Sequence, residues 1–203
     1  MADDQELEKL RSSGEQAVAD LMTKYQDQLM RMISFRLDRR LYGRVDPSDV
    51  MQDAYLEVSK RIQEFIDDPQ VSFFVWARQI TWQTLLKTNR RHLEVQKRDA
   101  KREERFVAND NSDTSVALAA RLLAKVRTPS GEAIRDETFQ KLHAALLTMN
   151  ETDREVLALR HFEQLTNQEV AEVLGIQKSA ASNRYIRALA RLKEIMTSVI
   201  GNE

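Results

Sequence analysis

The chain has no cysteine, which excludes disulfides and thiolate metal sites and suits a cytoplasmic protein. Its 203 residues include only three prolines and five glycines. So few helix breakers, with apolar residues at helical spacing almost throughout, argue for an all-α chain. No apolar run approaches bilayer-spanning length, so no membrane span is expected, and the opening MADDQELEKL is too acidic for a signal peptide. Charge of one sign is also lacking: the formal net charge is −1 and the pI about 6.4. Any nucleic-acid site must therefore be a local basic patch offset by acidic segments elsewhere. The three histidines, His92, His143 and His161, are scattered, and there is no glycine-rich phosphate loop or metal-ligand spacing. We expect no enzyme, no cofactor and no metal. What is present is 42% hydrophobic residues, enough to bury real cores in one domain or two small ones.

Residues 1–15 are polar and acidic, and we expect a mobile arm. Val18, Leu21, Met22, Tyr25, Leu29, Met32, Ile33 and Leu37 then mark an amphipathic helix over 16–41. Gly43 ends it, and Asp46 with Pro47 reads as an N-cap followed by proline at the first helical position. In the helix from Ser48 to about Phe65, Val50, Ala54, Val58 and Ile62 line one side, leaving Asp49, Gln52, Asp53 and Glu57 outside. That acidic face either solvates the helix or meets a partner. Phe65 to Val71 is a loop by its turn chemistry.

On a helical wheel, Phe73, Trp76, Ala77, Ile80 and Thr84 cluster toward a core in the next helix, with Phe74 at the edge and Trp82 opposite. Segment 87–105 follows with eight basic residues (Lys87, Arg90, Arg91, Lys97, Arg98, Lys101, Arg102, Arg105) against four acids, an excess of +4 from eight minus four. An exposed ring beside such a run suits single-stranded nucleic acid, in which bases stack and phosphates follow cations. The alternatives are a Trp82 that packs on a neighbouring element and a basic run that is only a solvated helix. Residues 106–135 read as a linker: the polar cluster Asn109–Ser115 and the turn Thr128–Gly131 flank one apolar helix over 116–126.

A second helical domain follows over 136–203. Phe139, Leu142, Ala145, Leu146 and Met149 mark its first helix, and Thr152 with Glu155 a capping box before the next. The most informative stretch is LTNQEVAEVLGIQKSAASNRYIRALARL, Leu165 to Leu192. Thr166 and Glu169 form a second capping box, Gly175 a helix stop, and Ala181, Tyr185, Ala188, Leu192 and Ile195 the buried stripe of a second helix. Away from that stripe lie Lys178, Ser179, Ser182, Asn183, Arg184 and Arg187, residue types that read bases and grip phosphates in a major groove. The segment is either a helix-turn-helix or an ordinary helical hairpin with a solvated face.

Taken together, DPSDVMQDAYLEVSKRI (Asp46–Ile62), SFFVWARQITWQTLLKTNRR (Ser72–Arg91) and Met149–Leu192 resemble a bacterial RNA polymerase sigma factor of the extracytoplasmic-function group in the sigma-70 family. The likeness spans roughly residues 16–197, and HLEVQKRDAKREE, LRHFEQLTNQEVAEVLGI and SAASNRYIRALARL are most similar to planctomycete-type members. The resemblance implies a 16–105 domain (region 2) that binds core polymerase and the minus-ten element. It implies a 136–203 domain (region 4) that reads the minus-thirty-five element. Asp49, Gln52, Asp53 and Glu57 would meet the clamp of the largest polymerase subunit. The 65–71 loop, Arg78, Trp82, Gln83, Lys87, Arg90 and Arg91 would contact the unpaired strand. Lys178, Ser179, Ser182, Asn183, Arg184 and Arg187 would read double-stranded promoter DNA. An anti-sigma factor covering the N-terminal domain is a further expectation from the group. Gln83, Lys87, Gln177 and Ser182 depart from the residues the group commonly carries, which implies a promoter sequence of its own. The rival reading is a stand-alone helix-turn-helix regulator, which leaves the acidic helix without a role.

Overall fold

The computed structural model describes residues 4–99, 110–125 and 132–200, and these divide between two compact units, 1–105 and 106–203. Every regular element among the described residues is helical. Lys101, Arg102 and Arg105 of the basic run and the Thr128–Gly131 turn lie outside them.

Unit 1 is built from α1 (Asp4–Arg36), a single 3-10 turn at Arg39–Leu41, α2 (Pro47–Asp67) and α3 (Phe73–Asp99). The expected mobile arm is instead helical. Gly14, at φ +50°, bends α1 so that residues 4–13 fold onto the unit, with Leu10 1% exposed. Only glycine takes that backbone angle at little cost. Glu6, itself buried, accepts from Lys24 Nζ at 2.6 Å and from Tyr25 Oη at 2.8 Å, so the acidic composition of the arm conceals an anchoring carboxylate. Burial, and then the Glu6 hydrogen bond, pushes the Tyr25 hydroxyl up to about 12.

Asp46 caps α2 as expected, its side chain accepting from the Ser48 amide at 2.8 Å ahead of Pro47. The helix then runs to Asp67, two residues past Phe65 and into the expected loop at 65–71. Phe65 is 2% exposed, its ring 5.0 Å from Trp76 and edge-on to Phe73 at 5.9 Å, and this packing holds the last turn helical. Tyr25 extends the ring cluster to Phe74 at 5.1 Å.

Unit 2 comprises α4 (Asp110–Lys125), α5 (Glu132–Leu147), α6 (Glu151–Leu157), α7 (Asn167–Val173) and α8 (Lys178–Ile200). The helix expected inside a linker is α4, and it belongs to this unit's core. Leu118 and Ala119 are buried, it packs against α5 and α6, and Thr114 Oγ1 donates to Glu155 Oε2 at 3.0 Å. The expected Thr152–Glu155 capping box does not form, because α6 starts at Glu151 and Thr152 already lies within it. Asn150 caps α6 instead, its side-chain oxygen accepting from the Thr152 amide at 2.9 Å. Arg154 is buried and donates to the carbonyls of Leu146, Leu147 and Met149 at 3.3, 3.3 and 2.5 Å where α5 ends, adding to the Met149 amide that the Leu146 carbonyl already accepts. A short π-helical segment, Ala158–Phe162, closes with the Glu163 amide donating to Ala158 O at 3.0 Å and leads to the α7 cap.

Candidate nucleic-acid interface

In unit 1 the candidate residues gather along α2 and α3. Asp49, Gln52 and Asp53 are exposed on one face of α2, and Glu57 is half-buried a turn further on. Among them stands Leu56, 53% exposed, a residue the reading of the acidic face passed over. Its signal was its register, three residues from Asp53 and four from Gln52.

On α3, Gln83, Lys87, Arg90 and Arg91 share an exposed strip, but the other two expected residues do not join it. Arg78 is buried in the fold, and Trp82 is half-buried against the core around Ile33, Leu41 and Leu85, with the Arg36 guanidinium 5.1 Å from its ring. The wheel allowed α3 one buried stripe, whereas both α1 and α2 pack on it. It therefore buries a second stripe of Phe74, Arg78, Thr81 and Leu85 beside that of Phe73, Ala77, Ile80 and Thr84.

The two exposed strips meet across a groove of about 340 Å³ whose walls include Asp53, Leu56 and Glu57 on α2 and Gln83, Lys87 and Arg91 on α3. Arg61 crosses it, its guanidinium donating to Gln83 Oε1 at 3.2 Å. The Lys60 hydrogen bond, at 3.0 Å, holds the Glu57 carboxyl below the usual carboxylate range, and the charges of Lys60, Lys87 and Arg61 add to it. Acid and base thus face each other across one groove.

In unit 2 the capping box at α7 forms as read. Thr166 Oγ1 accepts from the Glu169 amide at 3.2 Å, and the Thr166 amide donates to Glu169 Oε2 at 2.6 Å. Gly175, at φ +62°, turns the chain, and Asn167 Nδ2 donates to the Lys178 carbonyl at 2.9 Å, tying the start of α7 to the start of α8. Ala181, Ala188 and Ile195 are buried and Tyr185 and Leu192 half-buried, which leaves Lys178, Ser179, Asn183 and Arg187 exposed and Ser182 at the margin. Arg184 departs from the expected reading face. Its guanidinium is drawn back to Asp153 Oδ1 on α6 at 3.1 Å, because position 184 flanks the buried stripe and an acid lies within reach. Arg184 therefore ties α8 to α6 from the flank of that face. Tyr185 does likewise through a 3.2 Å hydrogen bond with His161 Nε2 and the Arg160 guanidinium 5.2 Å from its ring.

No helix among the described residues is long and apolar enough to cross a membrane. No group of three histidines or carboxylates among them is placed to hold a metal.

Comparison with known proteins agrees with this anatomy. Residues 139–192 match the sigma-70 region 4 family, a span that runs from Phe139 in α5 to Leu192 in α8. The chain is 24% identical over 192 residues to the RNA polymerase sigma-H factor of Pseudomonas aeruginosa, covering 92% of this chain and 89% of that protein. It is 22% identical over 182 residues to the ECF RNA polymerase sigma-E factor of Haemophilus influenzae, covering 90% and 88%. The solved structure of CnrH in complex with the cytosolic domain of CnrY shares the fold, with a TM-score of 0.50, 21% identity, and coverage of 98% and 99%. Together the family match and the chain-long similarities support a sigma factor of the ECF kind with a role in transcription initiation.

Proposed function

We propose that this chain directs core RNA polymerase to promoters by a two-point grip, working in the bacterial cytoplasm. Asp49, Gln52, Asp53 and Glu57 dock on the clamp of the largest subunit, with Leu56 giving the apolar centre that protein interfaces need. Gln83, Lys87, Arg90 and Arg91 hold the unpaired minus-ten strand. Phosphate attraction supplies affinity there, and contacts to each flipped base contribute about 1–3 kcal/mol toward unstacking. Arg78 and Trp82 act from inside the fold by fixing α3. Lys178, Ser179, Ser182, Asn183 and Arg187 read the upstream duplex, and binding at two points lets each contact be weak alone. The sequence phrases favour a planctomycete-type member, and the exposed acidic strip of α2 is the surface an anti-sigma factor would cover.

The observation that carries this reading is the α2–α3 groove, where an acidic strip suited to a protein partner adjoins a basic strip suited to a strand. A stand-alone helix-turn-helix regulator has no use for it. The test separates the two strips. In a pull-down, Asp53→Arg is expected to lose core polymerase, whereas Arg90→Ala with Arg91→Ala is expected to keep polymerase and lose promoter opening by permanganate footprinting. Normal polymerase affinity in Asp53→Arg, or normal opening in the double variant, defeats the assignment of that strip.

A further inference from the structure

The upstream-reading face of α8 carries one residue that neither charge nor hydrogen bonding explains. Ile186 is 65% exposed, the most exposed large apolar side chain among the described residues. It is no overflow from the core, because the buried stripe of Ala181, Ala188 and Ile195 lies on the other side of the helix. It follows Ser179 by seven residues and Asn183 by three, which aligns all three on one strip. With Asn183, Arg184 and Arg187 it lines a shallow hollow of about 540 Å³.

A lone exposed isoleucine on a protein surface is ordinary. One set in the middle of a strip of base-reading residues is different, because it would enter the major groove with its neighbours and lose its water there. The edges of the bases in that groove present hydrogen-bonding atoms and a single apolar feature, the C5 methyl group of thymine. A branched aliphatic side chain gains nothing against the polar edges and gains hydrophobic contact against the methyl.

We propose that Ile186 is a specificity-determining residue that packs on a thymine methyl in the upstream promoter element, between the base contacts of Asn183 and the phosphate or guanine contact of Arg187. This rests on the reading of α8 as the upstream-element helix.

Holoenzyme assembled with the full chain first selects an upstream element from a random duplex library. Each thymine of that element, on either strand, is then replaced singly by deoxyuracil, which removes the methyl group and keeps the base pair. One replacement is expected to weaken binding about fourfold, the loss for one buried methyl-sized group. Ile186→Ala is expected to bind the thymine and uracil duplexes equally, and as weakly as the unaltered chain binds the uracil duplex, while Ile186→Val keeps most of the discrimination. Exposure of the side chain makes misfolding of these variants a minor concern, and circular dichroism melting checks it. An upstream element without thymine, or uracil sensitivity unchanged by Ile186→Ala at every position, overturns the proposal. Arg187→Ala and Asn183→Ala separate the two kinds of failure. If they lose the upstream preference while Ile186 has no effect, the methyl contact alone is wrong. If they keep it, α8 is not the reader and the inference falls with that reading.

Discussion

In unit 1 the groove walls stand on rings: Phe65, Phe73, Trp76, Phe74 and Tyr25 interlock at centroid distances from 5.0 to 6.3 Å beneath two helices of 21 and 27 residues. In unit 2 α8 rests on directed hydrogen bonds and ion pairs: Asn150 and Thr166 as caps, Arg154 on three carbonyls, Arg184 on Asp153 and Asn167 on the Lys178 carbonyl. The lengths of the parts explain the difference. Both α6 and α7 have only seven residues, too short to persist on propensity or to bury much surface, so their ends must be tied individually. Long helices present enough apolar surface for non-directional packing to hold a groove open between them. Their binding faces differ in the same sense. The groove carries both signs of charge, as the proposed grip on a protein and a strand requires, whereas α8 bears no acid over Lys178–Lys193, as a proposed single DNA partner requires.

Phe73→Ala puts the comparison to its severest test. It should destabilise unit 1 by about 3–5 kcal/mol. Both tryptophans, Trp76 and Trp82, lie in unit 1, so fluorescence-monitored urea unfolding reports that unit alone. A loss below about 1 kcal/mol would show that the ring cluster is not what holds the groove. Arg154→Ala should cost about 2–3 kcal/mol in unit 2 by taking the side-chain donor from the Leu147 and Met149 carbonyls, visible in circular dichroism while the tryptophan transition stays put. Arg154→Lys should recover little, since the shorter lysine ammonium does not reach the place of Nη1, the one nitrogen that meets all three carbonyls. Rescue by lysine would mean that charge and not directed bonding matters there.

Thr166→Ala, which removes one half of the capping box, should cost about 1 kcal/mol by the same measurement. The smallest effect is on pH. Burial first, and the Arg154 charge second, hold the His143 imidazole below its ordinary value of 6.5. As pH falls the unfolded chain therefore takes up the proton before the folded one. This contribution to stability is fully present above 6.5 and is lost below it. His143→Gln should flatten the decline in unit 2 between pH 7 and 5, and an unchanged slope would remove His143 from the account.

The helix-turn-helix was legible nearly residue by residue because its signals are local. A capping box spans four residues, a glycine turn one, and the buried stripe of α8 follows from periodicity with a single packing partner side. Asp46 with Pro47 was legible for the same reason. The failures all lie where a second neighbour intervenes. The wheel put Trp82 opposite the core and the resemblance put Arg78 among strand contacts, because nothing in α3 announces that α1 packs on it as well as α2. The Thr152–Glu155 pair had the right spacing for a capping box, yet α6 starts two residues earlier with Asn150 as its cap, and Thr114, forty-one residues from Glu155, donates to the carboxylate.

What the sequence alone determined was therefore the helices, most of their caps and the order of an acidic helix, a basic one and a helix-turn-helix. Each depends on interactions within a few residues along the chain. Tertiary structure alone decided which charged residues remain on the surface. Arg78 and Glu6 are inside, Arg184 turns back to Asp153, and Asp53 and Arg91 face one groove. A charge is kept in water or given a partner according to what lies across from it in space, and sequence spacing does not carry that information.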